Sequence, residues 1–207
     1  MDQSEFWDAV ALAKTFSHPF DLRRFAALVA PSARTLDYGC GYGRICAELK
    51  AAGYHDVLGV DRSPRMIARA RDEHPGVAFD VIDGALPMAD ASFDAVVLFS
   101  VLTCIPEDAG QRALVGELAR VLRPGGLIYA SDLLLQDDER NRTRYDAYSR
   151  DAPYGVFQLE PGVVFRHLAR PWVDELFGPF EGLEFIAVDV VTMNGHPARA
   201  FQYFGRR

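Results

Sequence analysis

From residue 34 onward the chain alternates short runs rich in Val, Ile, Leu and aromatics with longer runs whose apolar residues recur at helical spacing. The short runs Arg34–Tyr38, Asp56–Val60, Val77–Ile82, Phe93–Phe99 and Gly126–Ser131 are the expected strands. Between the second and third, Ser63 can cap a helix that has Pro64 at its first position and His74-Pro75-Gly76 at its end. Another helix starts near Asp108, sets Leu114, Leu118, Val121 and Leu122 on one stripe, and stops at Arg123-Pro124-Gly125-Gly126. Strands alternating with helices predict an α/β fold, a doubly wound and mostly parallel sheet with helices on both faces.

The flanks break the alternation. Ahead of the first strand, Glu5–Lys14 and Asp21–Val29 read as two helices parted by Ser17-His18-Pro19, placed to cover an edge or a cleft. After Ser131 the stretch Gln136–Arg150 is highly charged and Asp151–His167 is rich in aromatics, Pro and Gly, the pattern of an insertion. The tail offers a short helix near Pro171–Phe177 and two strands, Leu183–Thr192 and Ala198–Phe204. Asn194-Gly195 between them is a hairpin signal, which makes the last strand antiparallel and the sheet mixed, with about seven strands in all. A length of 207 residues fits one domain.

Charge and cysteine usage narrow the partners. A net charge of −7 is the wrong sign for a surface that neutralises phosphates, so a nucleic acid partner is not expected. No run approaches the ~18 apolar residues of a membrane helix, and the start MDQSEFWDAV has no basic segment before an apolar one, so the expected setting is the cytoplasm. Cys40, Cys46 and Cys104 lack CxxC spacing, and His18, His55, His74, His167 and His196 are scattered, so neither a disulfide framework nor a metal site is expected.

The most informative segment is Leu36-Asp37-Tyr38-Gly39-Cys40-Gly41-Tyr42-Gly43-Arg44, where a strand ends and a helix begins. Glycines at alternate positions let the backbone turn tightly and approach a ligand closely, and the following helix offers unpaired N–H groups to a polar or anionic group. The ligand is expected beyond the carboxyl end of the first strand. A dinucleotide fingerprint, G-x-G-x-x-G counted from Gly39 and Gly41, would need its third glycine where Arg44 stands.

Asp37 followed by Gly39, Gly41 and Gly43 resembles the first motif of the class I S-adenosylmethionine-dependent methyltransferases. The resemblance continues in order through Gly59-Val60-Asp61, Asp83-Gly84, Phe93-Asp94-Ala95-Val96 and Leu122-Arg123-Pro124-Gly125-Gly126, covering about residues 34–132. It implies S-adenosylmethionine as cofactor and S-adenosylhomocysteine as product. It also implies a cofactor-binding core at 34–132 between N-terminal helices at 1–33 and an acceptor-side insertion or lid at 133–170, with a helix and hairpin at 171–207. Carried over residue by residue, it assigns Asp37 and Tyr38 to the cofactor, and the loop Gly39, Cys40, Gly41 and Gly43 to its amino-acid part. Asp61 falls to the ribose hydroxyls, Asp83 with Gly84 to the adenine amino group, Arg62 and Met66 to the flanks of the ring, and Phe99 and Ser100 to the cleft beside the sulfonium. The chemistry agrees for Asp61, because an ionised carboxylate is acceptor-only and can take two hydroxyl donors.

Methyl transfer from a sulfonium relies on proximity and orientation, so the class needs no common catalytic residue, and the irregular segments choose the acceptor. Tyr145, Tyr148, Tyr154, Phe157, Phe165 and His167 suit a lid over a small, partly apolar acceptor, with His167 as the candidate proton acceptor. Arg140, Arg142, Arg144 and Arg150 could bind a carboxylate or phosphate, although Asp138, Glu139 and Asp146 between them equally fit a solvated helix face. Cys104 stands where many relatives carry histidine, which removes one candidate base. Phe99-Ser100-Val101-Leu102 lacks the Pro-Pro-aromatic motif of enzymes acting on exocyclic amines, and the chain has no Pro-Cys pair of the kind that attacks cytosine. The expected activity is therefore methyl transfer to an oxygen or nitrogen of a small molecule. Two other readings stay open on the sequence: a nicotinamide-dependent oxidoreductase, against which Arg44 and the terminal hairpin speak, and a protein that binds the cofactor without a methyl acceptor.

Overall fold

A computed structural model describes residues 3–148, 152–160 and 162–207. In chain order it forms α1 (Gln3–Val10), α2 (Leu22–Leu28), β1 (Thr35–Tyr38), α3 (Arg44–Ala51), β2 (Val57–Asp61), α4 (Pro64–Glu73), β3 (Ala78–Val81) and β4 (Phe93–Phe99). There follow α5 (Asp108–Val121), β5 (Leu122–Leu133), α6 (Glu139–Tyr148), β6 (Val156–Leu159), β7 (Val163–Arg166), α7 (Arg170–Leu176), β8 (Glu181–Val191) and β9 (Pro197–Arg206). A 3-10 turn at Leu102–Cys104 links β4 to α5.

Seven strands make one sheet in the order β3-β2-β1-β4-β5-β9-β8. The first five pair in parallel, and β9 runs antiparallel to both β5 and β8. The doubly wound mixed sheet expected from the sequence is the fold observed. Alternation along each strand feeds two cores. Ala95, Val97 and Phe99 of β4 pack with Phe25, Ile45, Leu49 and Ile67 from α2, α3 and α4. Val96 and Leu98 face the other way, onto Leu114, Leu118 and Val121 of α5 and Val173 and Leu176 of α7. These are the two helical layers.

Local differences from the expected elements have local causes. The segment Arg123-Pro124-Gly125-Gly126 does not precede β5 but loops out within it: Leu122 pairs with Phe93 and Leu127 with Ala95. Gly125 at φ +75° makes the turn, and the Arg207 carbonyl and N–H tie it down. Helix α1 stops at Val10 rather than Lys14, in a turn closed by Lys14 N–H on the Val10 carbonyl. The charged stretch after Ser131 folds as α6, and the aromatic stretch forms a separate hairpin, β6 with β7, that turns at Gly162 (φ +111°). The alternation in Val156-Phe157-Gln158-Leu159 and Val163-Val164-Phe165-Arg166 that makes these strands was masked by the surrounding Gly and Pro. The beginning of this segment, Asp151, and the candidate Arg150 lie outside the described residues.

Candidate active site

The strand order reverses between β1 and β4, and a crevice opens there beyond the carboxyl ends of the strands. Gly39, Gly41 and Gly43 all take positive φ, +73°, +55° and +82°, so the loop from β1 to α3 is a run of left-handed turns. Gly39 and Cys40 donate their N–H groups to the Val60 carbonyl at 2.8 and 3.0 Å, which lashes the loop to the end of β2. Asp61 stands at that end. Its Oδ2 accepts the Gly41 N–H at 2.8 Å and its Oδ1 the Ser63 N–H at 2.9 Å, so each oxygen has a backbone partner and a lone pair to spare. Burial raises its carboxyl above the usual range, and the N–H donors of Ser63, Gly41 and Arg62 pull it back.

Asp37 is buried at the end of β1, where it accepts the Cys46 S–H at 3.2 Å. Burial pushes its pKa up to about 7, against the downward pull of the Cys46 hydrogen bond and of Arg44. Ser100, just past β4, is a non-glycine residue at φ +55°, a strain of the kind found at functional sites.

These groups line one cavity of about 470 Å³, inside the range of small-molecule sites. Ten of the residues assigned from the sequence to the cofactor meet there: Asp37, Tyr38, Gly39, Cys40, Gly41, Asp61, Arg62, Met66, Phe99 and Ser100. Three do not. Gly43 turns away from the cavity, and a Cβ there would fall 2.6 Å from the Phe79 ring, so it serves the packing of the loop on β3. Asp83 has a 95% exposed side chain, 3.5 Å from Arg62, and with Gly84 it stays off the lining.

Two segments roof the cavity. From α1, Asp8 accepts hydrogen bonds from the Ser63 hydroxyl and the Arg65 N–H at the start of α4. Phe16 then packs on Tyr42 with ring centres 5.0 Å apart, while Trp7 meets Phe16 and Phe165 at 5.9 and 6.3 Å. Gly41 permits this closeness, since a Cβ there would lie 2.2 Å from the Phe16 ring. The β6–β7 hairpin supplies Phe157 and Phe165, and α6 supplies Arg140, Asn141 and Arg144.

His167 also lines the cavity, but its protonation differs from the expected base. The Tyr145 hydroxyl accepts the Gln136 N–H and donates to His167 Nδ1 at 2.5 Å. That assignment leaves the proton of the neutral ring on Nε2. Burial, then Arg144 and Arg140, lower its pKa to about 3. The ring is therefore a neutral hydrogen-bond donor and a poor proton acceptor. Of the tyrosines expected to touch the acceptor, Tyr145 is buried behind His167, and Tyr148 and Tyr154 are exposed and off the lining. Arg142 is exposed and off the lining as well. Cys104 lines the cavity with its thiol pushed far up by burial and by the nearby Asp132, so it stays protonated.

The sequence reading missed His18. It lines the cavity, and its Nε2 lies 2.6 Å from Ser131 Oγ, whose own proton goes to the Phe201 carbonyl. Nε2 must then carry the proton, which leaves Nδ1 with a free lone pair. Burial, followed by Arg44, lowers the pKa of His18 to about 4. The only sequence signal was its place in the break between two helices ahead of the glycine loop.

Residues 36–130 match the methyltransferase domain family. A trans-aconitate 2-methyltransferase from Methylobacterium nodulans is 38% identical over 128 residues, which cover 59% of this chain and 48% of that protein. A demethylmenaquinone methyltransferase from Beutenbergia cavernae is 38% identical over 104 residues, 49% of this chain and 41% of that one. The chain thus spans about half the length of these curated relatives or less. Among solved structures, a SAM-dependent methyltransferase from Methanosarcina mazei superposes with a TM-score of 0.85 at 23% identity, over 91% of this chain and 98% of that one, a likeness of fold. The family match runs from the second residue of β1 into β5, over the stretch that builds the glycine loop and the Asp61 turn, and in this stretch the chain is similar to the class I S-adenosylmethionine-dependent methyltransferases.

Proposed function

We propose that the chain transfers a methyl group from S-adenosylmethionine to an oxygen or nitrogen of a small molecule held in the same cavity. The observation that carries this reading is the two-ended lining: acids and glycines of the strand ends on one side, aromatics and cations of the roof on the other. The donor set fits the cofactor. Asp61 has lone pairs free for two ribose hydroxyls, Met66 and Ile82 give apolar walls for a ring, and Asp37 suits an ammonium. Arg44 Nε is buried without a partner beside the loop and suits a carboxylate of the amino-acid end. When bound, S-adenosylmethionine supplies a methyl group activated on a sulfonium, with S-adenosylhomocysteine as the leaving product.

The chain's own residues then have three tasks. The core at 34–132 fixes the cofactor, and the roof from 1–33 and 133–170 excludes water and orients the acceptor, which supplies most of what such a displacement needs. His18 Nδ1 is an unprotonated nitrogen on the lining, suited to hold the acceptor's O–H or N–H. His167 Nε2–H is suited to hold an acceptor oxygen.

A small acceptor accords with the cavity volume, and a net charge of −7 speaks for it over a nucleic acid. Among the described residues no helix is long and apolar enough to cross a membrane. The free cysteines fit a reducing compartment, the cytoplasm. The test is turnover of methyl-labelled cofactor over phenols, amines, carboxylates and thiols. Label transferred to an oxygen or nitrogen acceptor is expected, and transfer only to thiols, or saturable NADH binding in place of the methyl donor, would overturn the reading.

A further inference from the structure

Arg144 lines the cavity with a guanidinium that meets the Tyr145 hydroxyl but touches no carboxylate. It lies over the Phe157 ring, 3.5 Å from the centroid, and its Nε is buried without a hydrogen-bond partner. Among the described residues no carboxylate stands within 4.0 Å of it, whereas the buried Arg166 has Asp108 at 2.6 Å. Asp138, just ahead of α6, is already engaged: it accepts the Asn141 N–H on Oδ1 and the Asn141 amide on Oδ2.

Three neighbours on the lining extend the pattern. Arg140, one turn earlier on α6, lines the same cavity. Asn141 is 1% exposed and its Oδ1 has no partner, so this wall of the cavity holds a second unmet polar group. His167 adds the Nε2–H donor left by the Tyr145 hydrogen bond. The acids of the lining, Asp37 and Asp61, belong to the glycine-loop end. That end is mixed in charge, since Arg44 and Arg62 line it too, whereas the α6 end holds Arg140 and Arg144 with no acid on the lining and is walled by Phe157, Phe165 and Trp7.

Resting on the methyltransferase reading above, we propose that the methyl acceptor is a small carboxylate with a flat apolar body, selected by Arg144 with Arg140 beside it. Stacking on Phe157 holds the guanidinium plane and leaves its edge for the planar, bidentate pairing that carboxylates accept. The Asn141 carbonyl oxygen suits a hydroxyl or amide N–H on the same molecule.

The experiment is calorimetry on the protein saturated with S-adenosylhomocysteine. The probes are aromatic and unsaturated aliphatic carboxylates at millimolar concentration, each beside its neutral amide, with phenyl phosphate as a further arm. At least one carboxylate should bind about tenfold more tightly than its amide, the size of one charged hydrogen bond. Arg144→Met should abolish that preference and leave S-adenosylhomocysteine affinity within about twofold, and Arg144→Lys should restore part of it. The amide controls and the lysine variant separate charge recognition from packing, and the wild-type comparison stands even where a variant fails to fold. Equal binding of acids and amides, no carboxylate bound across the panel, a preference for phenyl phosphate, or a preference untouched in a folded Arg144→Met would each overturn the proposal. Loss of S-adenosylhomocysteine binding by the wild type would instead overturn the reading beneath it.

Discussion

Asp61 Oδ2 accepts the Gly41 N–H at 2.8 Å, so the acid that ends β2 also sets the shape of the loop that follows β1. A residue assigned to a ligand thus organises the site before any ligand arrives. Asp61→Ala should weaken S-adenosylhomocysteine binding at least about tenfold, because it removes both the proposed ribose acceptor and the anchor of the loop. It should lower stability by about 1–3 kcal/mol, as the Gly41 and Ser63 N–H groups lose their partner, yet leave a cooperative fold. Titration calorimetry and thermal unfolding of the variant check both, and unchanged affinity in a folded variant counts against the assignment.

Gly41 is needed for the roof as well as for the loop. Adding a methyl group there meets the Phe16 ring at 2.2 Å and a φ of +55°, a conformation that costs a non-glycine residue about 1–2 kcal/mol. Gly41→Ala should therefore push the Phe16 segment off the cavity and weaken cofactor binding, and adding Phe16→Ala should recover part of the loss. Gly53→Ala is the control: its φ is +91° with open space around it, so stability should fall and binding should not. Equal binding defects in the two alanine variants would contradict this account.

Four groups, three buried and His18 half-buried, give stability an opposed pH dependence. Asp37 and Asp132 have folded pKa values near 7, above the ordinary 3.8, so between about pH 4 and 7 the folded state holds protons the unfolded state has lost, and stability falls as pH rises. His18 and His167, at about 4 and 3 against 6.5, act the other way: below 6.5 the unfolded state binds the extra protons, and stability rises with pH. In Asp37→Asn one falling contribution disappears. The stability of this variant relative to wild type should therefore grow by about 1.4 kcal/mol for each pH unit between roughly 4.5 and 6.5. Urea unfolding across that window measures it, and a constant difference would show that Asp37 ionises normally.

Tyr145 stands behind the lining, against His167, Phe157 and Arg144. Tyr145→Phe removes the hydroxyl from Nδ1 and from the Gln136 N–H and should cost about 1–3 kcal/mol. The freed ring can then change tautomer, so acceptor KM should rise while S-adenosylhomocysteine affinity stays unchanged. Steady-state kinetics beside calorimetry make the distinction, and a parallel loss of both affinities would place Tyr145 in the cofactor site.

What the sequence made legible was whatever local rules decide. Ser63-Pro64 capped α4 as expected, β4 took its predicted bounds, and the glycine loop fell at the carboxyl end of β1. The roof depended on tertiary contacts that carry no local signature. Nothing in the spacing of Trp7, Phe16 and Phe165 brings them together, and nothing near His18 names Ser131, 113 residues away, as its partner. His167 was singled out for an ordinary histidine pKa, which burial and the α6 arginines then removed. Arg144 shares a charged run with its neighbours, and only the fold separates it from Arg142 by setting one on the cavity and the other in solvent.

The most direct test is thermal unfolding with and without S-adenosylhomocysteine, with NADH and NADP as controls. At ~100 times its dissociation constant a ligand adds ~2.7 kcal/mol, roughly 5–10 °C for a chain of this size. The account predicts a shift of that order with S-adenosylhomocysteine alone, lost in Asp61→Ala. No shift at saturating ligand, or an equal shift with NADH, would contradict it.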